Sequence, residues 1–201
     1  MKPYLFPLVT HLRRKEKYCG LAFLAALVFI YLSSCSSLAV DKRPYAYLAD
    51  RSKYILLPPA GIEEPVDMAQ RISAIYNGQG FYFSAWVLAD KNGIDMSLFN
   101  ELGAAMGELS YREGVVSLSS SVLPQSLKPE YIIADFQLCF YNAGLVRMAL
   151  KDCGLVLETQ NDFRRIFEGK SLIIEIEKTS GEVKFVNHLR GYSYILEGDF
   201  L

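Results

Sequence analysis

The chain has little of the chemistry that marks a metalloprotein or an enzyme. Its 201 residues include two histidines, His11 and His188, a single tryptophan and four cysteines. The cysteines form no C-x-x-C pair, and neither an H-E-x-x-H nor an Asp/Asn-rich loop occurs. Those spacings are what bring ligands onto one zinc or calcium ion, so no metal and no cofactor is expected. Excess charge of either sign is also missing, with 21 basic residues against 22 acidic ones. Lys2, Arg13, Arg14, Lys15 and Lys17 all precede residue 18, where Glu16 is the only acid, so the rest of the chain is net acidic. Nucleic acids and anionic bilayers are gripped by clustered Lys and Arg, and no nucleic-acid partner is expected. There is no internal repeat and no low-complexity tract.

Only one long apolar run is present. Tyr18 to Leu32, "YCGLAFLAALVFIYL", carries no charge. Its length lies within the roughly 7–15 residues of a signal-peptide core and below the roughly 20 that span a bilayer. Basic residues before it and small ones after it make a secretory signal, with a plain signal anchor as the competing reading. Leu32-Ser33-Ser34-Cys35 resembles the bacterial lipobox. The resemblance implies cleavage ahead of Cys35 and lipidation of that cysteine. Two or three acyl chains hold a protein at a bilayer where one does not, so membrane attachment is expected through the Cys35 lipid. Ser36-Ser37 lacks the aspartate that retains such proteins at the inner membrane, which by resemblance implies the outer membrane, facing the periplasm. The expected division is a signal peptide over 1–34, a lipidated tether over 35–53 and a folded domain over 54–201.

Within that domain, turn signals recur about every ten residues. Asn77-Gly78 separates "AQRISAIY" from "GFYFSAWVLAD", Lys91-Asn92-Gly93 leads into "IDMSLF", and Arg112-Glu113-Gly114 leads into "VVSLSSSV". This spacing describes an antiparallel meander. Pro129 then opens a helix over "PEYIIADFQLCF", and Asn142 caps a second that Gly154 ends. On the second helix Leu145, Met148 and Ala149 form the expected apolar face. Strands return with "SLIIEIEKT", "EVKFVNHL" and "GYSYILEG", divided at Ser180-Gly181 and Arg190-Gly191.

The strand "GFYFSAWVLAD" is apolar on both faces, with Phe81, Phe83, Ala85 and Val87 on one and Tyr82, Trp86 and Leu88 on the other. A sheet with one wet face alternates, so this strand is either covered twice or lines an apolar cavity. From about Ala69 to Gly154 the chain resembles LolB, an outer-membrane lipoprotein that receives other lipoproteins. The resemblance rests on Trp86, the Asn92-Gly93 turn, the strand Ile94–Phe99, the loop Asn100-Glu101-Leu102-Gly103 and the helix "YNAGLVRMAL". It implies an α+β fold, a LolA/LolB-like incomplete antiparallel β-barrel closed by a short helical hairpin. It also implies that Leu102 is a membrane-inserting residue, although Glu101 stands where that family has a proline. Over most of its length the chain further resembles a family of uncharacterised bacterial lipoproteins, the domain of unknown function 3261. That resemblance rests on "LLPP" (Leu56–Pro59), "AQRISA", "LKPEYIIADFQL" and "VNHLRGYSYIL".

These resemblances imply an apolar half-barrel cavity lined by Phe81, Phe83, Trp86, Met148, Tyr192 and Tyr194. Its expected occupants are lipid acyl chains or a lipidated protein, in a transfer step without covalent chemistry, with a soluble periplasmic carrier as a candidate partner and the route of delivery left open. The alternative is a scaffolding envelope lipoprotein whose core is filled by its own side chains. A more distant option is an acyl hydrolase using His188 with Cys139 or a serine of Ser119-Ser120-Ser121; no carboxylate in the sequence evidently orients that histidine. Cys139 and Cys153 either pair or sit as two small buried apolar residues. Asp135 is expected on the exposed side of its helix.

Overall fold

The computed structural model describes residues 42–62, 64–120 and 128–198. The chain divides into Met1–Lys42 and Arg43–Leu201, and every element below belongs to the second unit. The signal segment, Cys35 and Ser121 lie outside the described residues. Folded structure begins ahead of the expected Tyr54. Strands β1 (Tyr45–Tyr47) and β2 (Lys53–Ile55) pair antiparallel as a small arm, with Ala46, Leu48 and Ala49 buried beside it. The tether pattern over 35–53 misses this because two three-residue strands are too short to show a period.

Two meanders follow, one on either side of a helical hairpin. The first comprises β3 (Val66–Tyr76), β4 (Gln79–Asp90), β5 (Gly93–Phe99), β6 (Ala105–Arg112) and β7 (Val115–Ser120). The helices are α1 (Pro129–Phe140) and α2 (Ala143–Asp152). The second meander comprises β8 (Val156–Gln160), β9 (Phe163–Glu168), β10 (Ser171–Lys178), β11 (Glu182–Asn187) and β12 (Tyr192–Glu197). All ten strands join one antiparallel sheet in the order β7-β6-β5-β4-β3-β12-β11-β10-β9-β8. The last strand thus pairs with the first of the ten, Tyr192 opposite Tyr76 and Tyr194 opposite Ala74. Among the described residues the sheet is not a closed barrel, since β7 and β8 are its two edges. The β8–β9 hairpin has only Asn161-Asp162 as a turn signal, and no strand was expected there.

Turn chemistry explains the antiparallel pairing. Asn77 and Gly78 both have positive φ, 50° and 74°, the mark of the two-residue turn whose twist matches that of a hairpin. Fixing this turn fixes the β3–β4 register, with Tyr76 opposite Gln79 and Ala74 opposite Phe81. The inner face of the central strands then carries Ile72, Ala74 and Tyr76 on β3, and Phe81, Phe83, Ala85, Val87 and Ala89 on β4.

Helix α1 buries seven consecutive residues, Ile133 to Cys139, as an all-round apolar helix must. It lies against β1, β7 and α2. Its last carbonyls, which have no intrahelical partner, accept hydrogen bonds from Arg164 of β9, at 2.7 Å to Leu138 O and 2.9 Å to Tyr141 O. The cation also suits the negative end of the helix. Tyr54, Tyr141 and Phe185 are among the largest fully buried side chains, packed with Ile133, Leu138, Ile166 and Ile174.

Helix α2 begins as expected. Asn142 Oδ1 accepts from the N–H groups of Gly144 (2.7 Å) and Leu145 (3.3 Å). We expect Asn142→Ala to lose about 1 kcal/mol, seen in a thermal melt as a fall of about 2–4 °C for a domain of this size. The buried face of α2 differs from the expected one, because Val146 and Leu150 point inward. Met148, two residues from Val146, is turned away from it by roughly 200°.

Candidate functional site

The ends of the sheet differ in character. At one end the β4–β5 turn is Asp90-Lys91-Asn92, the β6–β7 turn Glu113-Gly114 and the β10–β11 turn Thr179-Ser180-Gly181, all polar. A hollow of about 240 Å³ at that end is lined by Ile62, Pro65 and Asp90 to Asn92, and none of the expected lining residues borders it. The other end carries the tip of the β3–β4 hairpin, the β5–β6 loop and the β11–β12 turn. Here Ile75, Tyr76, Phe81, Tyr82, Leu102 and Leu189 are all exposed. Large apolar side chains gathered in one area of a surface mark an interaction site more strongly than scattered ones.

Four of the six expected lining residues come together at this apolar end. Phe81 and Phe83 of β4 stand opposite Ala74 and Ile72 of β3. Tyr194 and Tyr192 of β12 stand opposite Ala74 and Tyr76 of β3. They form one strip across three neighbouring strands on the helix side of the sheet. Burial grades along it, from Phe81 at 45% exposed to Ala85 and Val87 in the core. On β4 the strip thus runs out of the core toward the exposed hairpin tip, while Tyr192 and Tyr194 meet Asp135 and Cys139 of α1.

Trp86 and Met148 are not in this group. Trp86, 47% exposed, pairs with Ala69 and Ser97 on the opposite face of the sheet, because side chains alternate strictly along a strand. Met148 is 60% exposed on the outside of α2. A strand apolar on both faces offers two separate surfaces, and parity assigns Trp86 to the other one.

Polar groups border the strip on its β12 side, level with the β3–β4 hairpin tip, where Tyr192 stands opposite Tyr76. Tyr192 donates its hydroxyl hydrogen to Asp135 Oδ2 at 2.8 Å, and its ring stacks on Phe185, as does that of Tyr194. Asp135 thus faces the sheet and is 8% exposed, against its expected place on the solvent side of α1. Burial raises its carboxyl to about 7, against the opposing pull of the Tyr192 hydrogen bond and the Arg190 charge. Arg190 lies over the Tyr131 ring and donates to Tyr47 O and Tyr131 Oη.

Cys139 and Cys153 are both free thiols. Burial pushes the Cys139 thiol up to about 12, with Asp135 adding to the rise, so at neutral pH it is not the thiolate that nucleophilic attack requires. Its Sγ lies 4.0 Å from Tyr194 Oη. His188 is exposed in the β11–β12 turn, where its backbone N–H donates to Ile173 O at 2.9 Å. Among the described residues no hydrogen bond joins His188 to Cys139 or Ser119. None of their His, Cys, Asp and Glu side chains form a group of three that could hold a metal ion, and no helix among them is long and apolar enough to cross a membrane.

Leu102 is 91% exposed on a loop organised by Asn100. Asn100 Oδ1 accepts from Leu102 N (3.0 Å) and Ala104 N (2.9 Å). The Asn100 backbone exchanges bonds with Gly103 and Ala104, both at 2.9 Å, and Gly103 adopts the positive φ of 77° that the turn needs. These bonds hold the loop without the proline, for which Glu101 stands here. The organising asparagine was legible only as part of a resemblance, since its role depends on the bonds it makes inside the loop.

No curated protein matches the chain. Residues 67–197, from early β3 to the end of β12, match a family described only as proteins of unknown function (DUF3261), and the chain belongs to that family.

Proposed function

We propose that this chain is an outer-membrane lipoprotein of LolB-like architecture, anchored through Cys35 and facing the periplasm. It takes up an acyl chain or the lipid of a lipidated protein on the inner face of β12, β3 and β4, without covalent chemistry. The observation that carries this reading is that exposed Tyr76 and Phe81 at one end of the sheet share a face with, and run on into, Phe83, Tyr192 and Tyr194. Each methylene buried gains about 0.8 kcal/mol, so a chain of 14–16 carbons covered over half its length gains on the order of 6 kcal/mol. That is firm enough to hold a lipid and weak enough to release it. Asp135 and Tyr192 would meet the polar head on the β12 side of the strip, and Leu102 would touch the membrane or carrier that exchanges the cargo.

The filled core around Tyr54, Tyr141 and Phe185 favours a second reading, an envelope scaffold without a ligand. One experiment separates the two. The full chain, purified in mild detergent, is titrated with a fluorescent fatty acid. Uptake by the wild type, weakened at least tenfold by Phe83→Asp and retained by Trp86→Asp, supports the proposal. A folded wild type that takes up no fatty acid, or equal losses in both variants, sinks it.

A further inference from the structure

Each edge of the ten-stranded sheet is met by a helix, α1 at β7 and α2 at β8, but the two edge strands differ in the groups they present. Edge strands expose unpaired N–H and C=O groups, and proteins blunt them with charges, proline or a covering element. Strand β8 has such protection, with Glu158 at its centre facing Arg165, α2 packed against it and Arg147 donating to Thr159 Oγ1 at 3.1 Å. Strand β7, Val-Val-Ser-Leu-Ser-Ser, contains no charge, proline or glycine.

The β7 edge also presents a defined set of groups. Glu113 and Gly114, with φ of 50° and 77°, make a two-residue turn in which the flanking pair Arg112–Val115 exchanges both main-chain bonds. Pairs alternate from there, so Ser110–Ser117 and Glu108–Ser119 are bonded pairs, and Tyr111–Val116 and Leu109–Leu118 are not. The N–H and C=O groups of Val116 and Leu118 therefore point away from β6. Among the described residues, no main-chain bond outside the β6 ladder reaches Val115 to Ser119. The side chains of Val116 and Leu118 pack only partly against the core, and a further strand would complete their cover.

We propose that β7 pairs antiparallel with β7 of a second copy of this chain, about a two-fold axis beside Ser117. The strand is complementary to itself in this register. Val116 lies opposite Leu118 of the second copy and exchanges both main-chain bonds with it, and symmetry repeats the pair. On the inner face this sets valine against leucine. On the outer face Ser117 meets its own symmetry mate and Val115 meets Ser119, so no like charges oppose each other. Such an isologous contact closes as a dimer and does not propagate.

In this register Ser117 forms a non-hydrogen-bonded pair with itself, with Cα atoms about 4.5 Å apart, which a disulfide can span. Ser117 is exposed, so its variants keep the fold, verified by circular dichroism. The full chain in mild detergent is expected to scatter light at twice its monomer mass, falling to the monomer mass with Ser117→Lys. Under air oxidation, Ser117→Cys is expected to cross-link most of the protein, well above a wild-type control that carries the native cysteines, and Ser119→Cys is expected to stay at the control level. A monomeric wild type, or cross-linking by Ser119→Cys in place of Ser117→Cys, overturns the proposal.

Discussion

Gln137→Leu is expected to lower the melting temperature by roughly 10 °C, although it replaces a buried amide with an apolar side chain of similar size. Gln137 is fully buried on α1 and holds the arm to the helix. Its Nε2 donates to Leu57 O at 2.6 Å, and its Oε1 accepts from Leu57 N at 2.9 Å and from the Tyr54 hydroxyl at 3.3 Å. Leucine leaves those groups without partners, and each unsatisfied buried group costs about 1–3 kcal/mol. Some of that is recovered by apolar packing and by water reaching Leu57, so the net loss is about 3 kcal/mol. Gln70 provides the contrast. It too is buried, but among the described residues its amide meets Met68 Sδ alone, at 3.2 Å, so Gln70→Leu should change little. Thermal melts of both variants check this, and a Gln137→Leu protein melting within 2 °C of wild type would show that the arm is held by packing alone.

The second large effect concerns Asp135 and is set by pH. Its carboxyl titrates at about 7 in the fold against an ordinary value of 3.8, because burial disfavours the charged form. The folded state therefore binds more protons than the unfolded chain between about pH 4 and 7, and stability falls as pH rises through that window. Above pH 7 both states are ionised and the loss is constant. Asp135→Asn keeps an acceptor for the Tyr192 hydroxyl and removes the charge. It should leave stability unchanged near pH 4 and raise it at pH 8, by on the order of 4 kcal/mol at most. Urea unfolding of both proteins at pH 5 and pH 8 reads this as a difference, which cancels the other titrating groups. A difference that does not grow with pH would mean that Tyr192 and Arg190 hold the carboxylate ionised despite its burial.

Both residues show where sequence reasoning stops. In "PEYIIADFQLCF" the apolar residues leave Asp135 and Gln137 as the only polar positions in the helix interior, and the economical place for a carboxylate is the surface. The helix instead has no solvent side over that stretch, because the arm that starts at Tyr45 lies against it while the sheet meets Asp135. Neither contact is local, since Gln137 meets Leu57 eighty positions away and Asp135 meets Tyr192 fifty-seven positions away.

The lining residues divide in the same way. Phe81 and Phe83 share a face by simple alternation, and the Asn77-Gly78 turn dictates their β3 partners, so that half of the strip was legible. That Tyr192 and Tyr194 continue it follows only from the pairing of β12 with β3, which closes the two meanders into one sheet. Trp86 shows the converse, because its parity was readable and outweighs its likeness to an aromatic of the same strand.

The sequence by itself determined the elements whose causes are local. Turns came from residues that tolerate positive φ, the second helix from its asparagine cap, the meanders from period-two strands, and the family from its own motifs. Tertiary structure alone decided which meander ends meet, that β7 and β8 are the two edges of the sheet, and that two polar side chains of α1 are buried. It also brought Ile75, Tyr76, Phe81, Tyr82, Leu102 and Leu189, from three separate turns, to one end of the sheet. The physical reason is that local conformation depends on each residue and its near neighbours, whereas burial and edge pairing depend on which distant surfaces exclude water together.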